Sequence, residues 1–462
     1  MQRIDGHVIS VQGPVVDVRY PDADDVPNIR NIVKTSTIEG KEVILEVAEH
    51  RTGNVARCIA LNSTQNIQRN APAHTLGASI EIPDGKHLFS RIVNVLGEPI
   101  DQKGAIIADE KFPTRNFRPP VPVKREEGRR KSYEILETGI KIIDLLSPIT
   151  MGSKTGILGG AGLGKTLIIL EIIYQMIKKH EGTCVFTGVG ERVREGNELY
   201  YELLRGDILS RIAIVFGQMN EPPGARMGAA MTGITVAETL QRKNNDVLLF
   251  VDNIFRYIQA GAEISTLLGR VSSETGYQPT LISEASEFHE RIRSDQSMGG
   301  SITAIETVYV PADDITDPAV VAIFSFLDSI LVLSRERIQL GLYPAIDPLL
   351  SSSANLDTDI VGQHHFNVAQ EVTRILQKYN ELKRIVLVVG IDELSQADRS
   401  TYERARKLQN FLTQPFFIAE TYTGKKGQYV TIPQTLEGCE KIINGDVDQR
   451  PEQDFYMIGI LE

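Results

Sequence analysis

Gly159-Gly160-Ala161-Gly162-Leu163-Gly164-Lys165-Thr166 fits the pattern G-x-x-x-x-G-K-[ST]. It follows the short apolar stretch Gly156-Ile157-Leu158 and opens an apolar, helix-forming run over residues 167–177. Strand, glycine loop and helix N-terminus together are the setting in which this pattern cradles phosphate. Successive backbone N–H groups converge on the anionic oxygens, and the helix end adds partial positive charge. In this reading Gly159, Gly160, Ala161, Gly162, Leu163, Gly164 and Leu167 enclose the phosphates of a nucleotide. Lys165 reaches the β- and γ-phosphates, and the Thr166 hydroxyl ligates Mg²⁺.

Outward from the loop, apolar strands alternate with helical segments. The strand candidates are Cys184-Val185-Phe186-Thr187, Ile212-Ala213-Ile214-Val215-Phe216, Val247-Leu248-Leu249-Phe250-Val251, residues 302–310 and Ile330-Leu331-Val332-Leu333. Such alternation predicts a largely parallel sheet with helices on both faces. Asp252 ends one of these strands and is the second acid that a Mg²⁺ shell beside such a loop needs, although many buried strands end in Asp for turn reasons. Gly188-Val189-Gly190-Glu191-Arg192 ends another, at the sheet edge that faces the ligand crevice. Glu191 can orient a water against the γ-phosphate there, with Arg192 balancing charge. The alternative is a surface Glu–Arg pair worth little.

Upstream, the first eighty or so residues read as short alternating strands, with turns at Gly13-Pro14, Pro21-Asp22 and Thr52-Gly53-Asn54. A small β-barrel or an open sheet fits that pattern. Pro113, Pro119, Pro120 and Pro122, flanked by basic residues, read as a solvated connector. After about residue 361 the composition turns helical, with Ile385-Val386-Leu387-Val388-Val389 readable as strand or buried helix.

The chain has 462 residues, about three domains' worth, with 42% hydrophobic and 24% charged residues. Its 49 basic and 60 acidic residues give a net charge of −11, which argues against a global attraction to nucleic acid or anionic lipid. Cys58, Cys184 and Cys439 lie far apart, as reduced structural thiols do. The amino terminus shows no leader pattern. Residues 319–333 are too short and too polar for a membrane span and read as buried helix and strand.

Several longer stretches carry a family likeness. Residues 188–200, Gly217-Gln218-Met219-Asn220-Glu221-Pro222-Pro223-Gly224-Ala225-Arg226 and Val251-Asp252-Asn253-Ile254-Phe255-Arg256 resemble hallmark segments of the catalytic beta subunit of F-type ATP synthases. So do Gly276-Tyr277-Gln278-Pro279-Thr280, Tyr343-Pro344-Ala345-Ile346-Asp347-Pro348 and Pro451-Glu452-Gln453, so the likeness runs from end to end. It implies a multidomain α/β fold: a β-barrel over residues 1–82, a P-loop nucleotide-binding α/β domain over 83–360 and a helical domain over 361–462.

The resemblance also implies an enzyme that makes or hydrolyses ATP from ADP and phosphate with Mg²⁺, coupled to proton or sodium movement. The implied partners are alternating alpha subunits in a hexameric ring, a central gamma-type shaft, a peripheral stalk and a membrane sector, with no nucleic acid. The implied location is the cytoplasmic side of the cell membrane, peripherally bound. By matching position, Lys165, Glu191, Arg192 and Arg256 serve catalysis, while Thr166, Glu195 and Asp252 serve Mg²⁺, the last two through water. Tyr343, Phe416, Ala419 and Tyr422 surround the adenine; from the residues alone, Tyr343 and Phe416 read as core aromatics. Glu191 stands where the family's noncatalytic alpha chains carry Gln.

Departures accompany the likeness. Leu163 stands where Val is usual and Tyr422 where Phe is usual, and Asp392-Glu393-Leu394-Ser395-Gln396-Ala397-Asp398 is two acids poorer than the family's lever loop. Residues 282–300 and Phe324-Ser325-Phe326 also differ. A rotary-type ATPase that drives mechanical work or export without ion translocation is the alternative these departures raise.

Overall fold

Buried and exposed positions alternate with the two-residue period of a half-buried strand along much of the N-terminal segment. Strands β1 (Ile4–Gln12), β2 (Val15–Arg19), β3 (Ile32–Ser36), β4 (Glu42–Arg51), β5 (Val55–Ala60) and β6 (Pro72–Thr75) pair antiparallel throughout. They close into a barrel in the order β1-β2-β5-β4-β3-β6, so the closed form, not the open sheet, is the observed one. Closure leaves no unpaired strand edge. Val16, Val18, Val33, Leu45, Val47 and Cys58 fill the interior.

This computed structural model describes residues 4–75, 77–115, 134–160, 162–243, 245–273, 275–295, 300–311 and 314–461. Ala161 of the glycine loop, the connector at 116–133 and Gln296-Ser297-Met298-Gly299 lie outside them. The chain divides into two units, Met1–Arg125 with Gly182–Phe326, and Glu126–Glu181 with Leu327–Glu462.

In the first unit the barrel is joined by parallel strands in the order Gly300–Val308, Val247–Asp252, Thr183–Glu191, Ile212–Gln218 and Ile92–Val93. Their residues are buried almost without interruption, as both-faces-covered parallel strands require. The last strand candidate of this unit begins at Gly300 and stops at Val308; Tyr309 is half exposed. Helix Leu281–His289 carries some of the atypical residues, and two of them bond within the unit. Glu287 accepts from Arg30 at 2.5 Å and from Arg115 at 2.9 Å. His289 packs against Glu306 and stacks on Phe326, with ring centroids 5.0 Å apart.

In the second unit Lys154–Leu158 pairs in parallel with Ser329–Val332, which pairs antiparallel with Ser352–Ser353. Helix Lys165–Lys179 follows the glycine loop. Helices Gln363–Val389, Gln396–Phe411 and Ile432–Asn444 pack on one another. Ile385-Val386-Leu387-Val388-Val389 is the end of the first of these, a helix, and Leu387 and Val388 in it are 80% and 83% exposed. The multidomain architecture of barrel, parallel-rich α/β sheet and C-terminal helices is therefore the observed one. All three cysteines are free and buried. Residues 319–333 contribute helix Pro318–Phe324 and strand Ser329–Val332, and among the described residues no helix is long and apolar enough to cross a membrane.

Candidate active site

The glycine loop, Thr166 and the aromatic residues belong to the second unit; Glu191, Arg192, Glu195, Asp252 and Arg256 belong to the first. Gly164 caps the helix Lys165–Lys179 in the left-handed region, φ 87°, which an L side chain rarely adopts. That turn leaves the loop face open: Gly162, Gly164 and Thr166 are exposed, while Leu163 tucks inward at 8% exposure. Lys165 folds back over the loop, its Nζ donating to the Gly159 carbonyl at 2.9 Å. Open N–H groups, a helix N-terminus and an ammonium on one small face fit a polyphosphate. Arg335 adds a second cation that sequence reading missed, its guanidinium 3.8 Å from where a Cβ on Gly160 would sit.

The residues expected to surround the base divide. Tyr343 is 41% exposed and Tyr422 68%, whereas Phe416 and Ala419 are buried. The core reading of the aromatics thus holds for Phe416 and not for Tyr343. A backbone bond from Gln414 N to the Tyr343 carbonyl, 2.9 Å, ties the two stretches together.

In the first unit Glu191 is the last residue of strand Thr183–Glu191 and is 9% exposed. Arg256 Nε donates to its Oε1 at 3.2 Å. Gly190 precedes it at φ 65°, and a Cβ there would meet the Arg256 side chain at 3.0 Å, so glycine permits the close approach of Arg256. Burial pushes Glu191 up to about 8; a hydrogen bond with Glu195 and the charge of Asp252 push the same way, and Arg256 opposes them. Asp252 ends the neighbouring strand, with Thr307 Oγ1 donating to its Oδ1. Arg192 is largely exposed and approaches Glu195 at 3.9 Å. The structure therefore brings Glu191, Glu195, Asp252 and Arg256 together and leaves Arg192 at the rim of that cluster.

Among the described residues no group of three or more His, Cys, Asp or Glu side chains is arranged to hold a metal ion by itself. Thr166 is exposed at the loop in the second unit, and Asp252 and Glu195 stand beside Glu191 in the first.

Fold and loop together define a P-loop nucleotide-binding protein carrying an N-terminal barrel. Residues 139–353 match the family model described as ATP synthase alpha/beta family, nucleotide-binding domain, and residues 8–77 match the beta-barrel domain of the same family. Residues 354–449 match the C-terminal domain of V and A type ATP synthase. The chain belongs to the ATP synthase alpha/beta family. Family membership implies assembly with other rotary ATPase subunits.

Proposed function

We propose that the chain is the catalytic subunit of a rotary ATP synthase or ATPase, interconverting Mg-ATP with ADP and phosphate as protons or sodium ions cross an associated membrane sector. The observation that carries this reading is the buried Glu191 carboxylate, held by Arg256 at the carboxyl end of a parallel strand. A glutamate there can take a proton, which the glutamine of noncatalytic relatives cannot.

In hydrolysis, water attacks the γ-phosphorus and the bond to the ADP oxygen breaks. Glu191 orients that water and accepts its proton. Lys165 and the loop N–H groups bind the phosphates, and Arg192 and Arg256 offset charge near the γ-phosphate. Mg²⁺ supplies further charge neutralisation, with Thr166, Glu195 and Asp252 as the residues that would hold it. Tyr343, Phe416, Ala419 and Tyr422 receive the base. The partners are alpha-type subunits in an alternating ring, a gamma-type shaft, a peripheral stalk and the membrane sector. The complex sits peripherally on the cytoplasmic side of the membrane.

A loose phosphoryl transition state is commonly completed by an arginine from across an interface, worth ~10³–10⁵ in rate. Steady-state phosphate release at saturating Mg-ATP, purified chain against reconstituted ring, tests the reading. Turnover should rise by orders of magnitude on assembly; a ring that releases no phosphate refutes the catalytic role.

A further inference from the structure

Residues 413–419, which carry Phe416 and Ala419, lie between helices Gln396–Phe411 and Glu420–Thr423 and have no regular secondary structure. Their backbone N–H groups must find partners outside any ladder. One partner is a side chain of the phosphate-loop helix. Ile418 N donates to Glu171 Oε2 at 3.2 Å, and the Phe417 N–H also bonds to this carboxylate. Gln175 Nε2 donates to Oε1 at 2.7 Å, and Glu171 is 1% exposed. One turn along the same helix face, Tyr174 stacks on Phe417 with centroids 5.3 Å apart and planes 18° apart.

Both tethers grow from helix Lys165–Lys179, whose first residues hold phosphate in the reading above. Glu171 lies six residues beyond Lys165, about 9 Å of axial rise at ~1.5 Å per residue. We infer that Glu171 is a positioning residue for the base: through Ile418 and Phe417 it sets the spacing between the phosphate anchor and the segment that carries Phe416 and Ala419, which the proposed function places at the purine. The inference rests on the nucleotide reading of the site. It separates two parts of ligand recognition, because a ligand with phosphates but no base does not use the tethered segment.

The probes are Mg-ATP and Mg-tripolyphosphate, titrated calorimetrically into the full chain. Glu171→Ala should weaken ATP roughly tenfold, within the range by which lost base stacking weakens binding, and leave tripolyphosphate unchanged. Glu171→Gln should bind both ligands within about twofold of wild type, since its amide oxygen still accepts from Ile418. The Gln175 amide can turn to match, as its Oε1 is buried without a partner. Tyr174→Ala removes the second tether without emptying the carboxylate site, and should weaken ATP several-fold and tripolyphosphate not at all. Equal losses for both ligands in the Ala variants, or no loss for either, overturn the positioning role. Wild-type chain that binds neither ligand overturns the nucleotide reading and this inference with it, a failure visible before any variant is made.

Discussion

Arg256 Nε lies 3.2 Å from Glu191 Oε1, with only 11% of the glutamate side chain exposed. Arg256 is the group that opposes burial and the two neighbouring acids in setting the proton affinity of Glu191. Removing the guanidinium raises that affinity further, so the ionised form that accepts a proton appears at higher pH. Arg256→Ala should therefore move the acid limb of the pH–rate profile upward as well as lower kcat. Phosphate release by the assembled complex between about pH 6 and 9 reads this; an unshifted limb denies the coupling.

Lys165 and Glu191 should fail differently. Lys165 meets phosphate in ground and transition states alike, so Lys165→Ala weakens nucleotide binding and stops turnover. Glu191→Gln keeps Mg-ATP affinity within several-fold while turnover drops by ~10²–10⁴. Equilibrium binding beside single-turnover kinetics separates the two, and wild-type turnover in Glu191→Gln would remove Glu191 from the mechanism.

His289 and Glu306 form a fully buried pair. His289 Nε2 is 3.0 Å from Glu306 Oε2 and its Nδ1 is 2.7 Å from the Ala285 carbonyl. Both ring nitrogens face oxygen atoms, so each is engaged within the core. His289→Ala leaves the acid without this partner and should cost about 3–5 kcal/mol. His289→Ala combined with Glu306→Gln should cost less than the single change. Denaturant midpoints of the three chains decide it; equal losses in the single and double variants mean the His289–Glu306 contact contributes nothing.

Two buried groups on one short helix give the second unit opposite pH dependences. Asp144 accepts from Thr138 N, Thr138 Oγ1 and Gly139 N, yet burial pushes it up to about 7. Its folded-state value is raised, so its contribution to stability is full below ~4 and lost as pH rises through about 7. Lys141 is pushed down to about 7 by burial. Its contribution is full above ~10.4 and lost as pH falls through about 7. Asp144→Asn should flatten thermal stability on the acid side of neutrality and Lys141→Met on the alkaline side. Melting curves across pH test both, and unchanged slopes in either variant reject that group's part.

What was legible in the chain was local. The glycine loop is contiguous, the sheet strands are unbroken apolar runs, and the barrel strands carry a two-residue period with turn residues between them. What was missed depends on distant partners. Glu171 is the lone acid in the apolar run 167–177, a signal that something must satisfy it, but Ile418 lies 247 residues away. Residues 282–300 depart from the family pattern, yet nothing near them announces that Glu287 meets Arg30 and Arg115. Tyr343 and Phe416 are chemically alike, and only the fold exposes one and buries the other. The run 385–389 misled because apolar sequence predicts burial, whereas the helix ends with that side uncovered in its own unit.

The Lys141 ammonium donates to the Ile458 carbonyl at 2.8 Å and the Gly459 carbonyl at 3.2 Å, spanning 317 and 318 positions. On a ribosome adding ~5–20 residues per second, these acceptors emerge roughly 15–60 s after the lysine. Throughout that interval the ammonium keeps its water, because burying it without acceptors is costly. The first segment of the second unit therefore waits, unsealed, while the 145 residues of Gly182–Phe326 are made. A nascent chain interrupted before Ile458 has its glycine loop already translated and its Lys141 still unanswered. Completion of this unit therefore waits on Ile458 and Gly459, long after its first segment has been made.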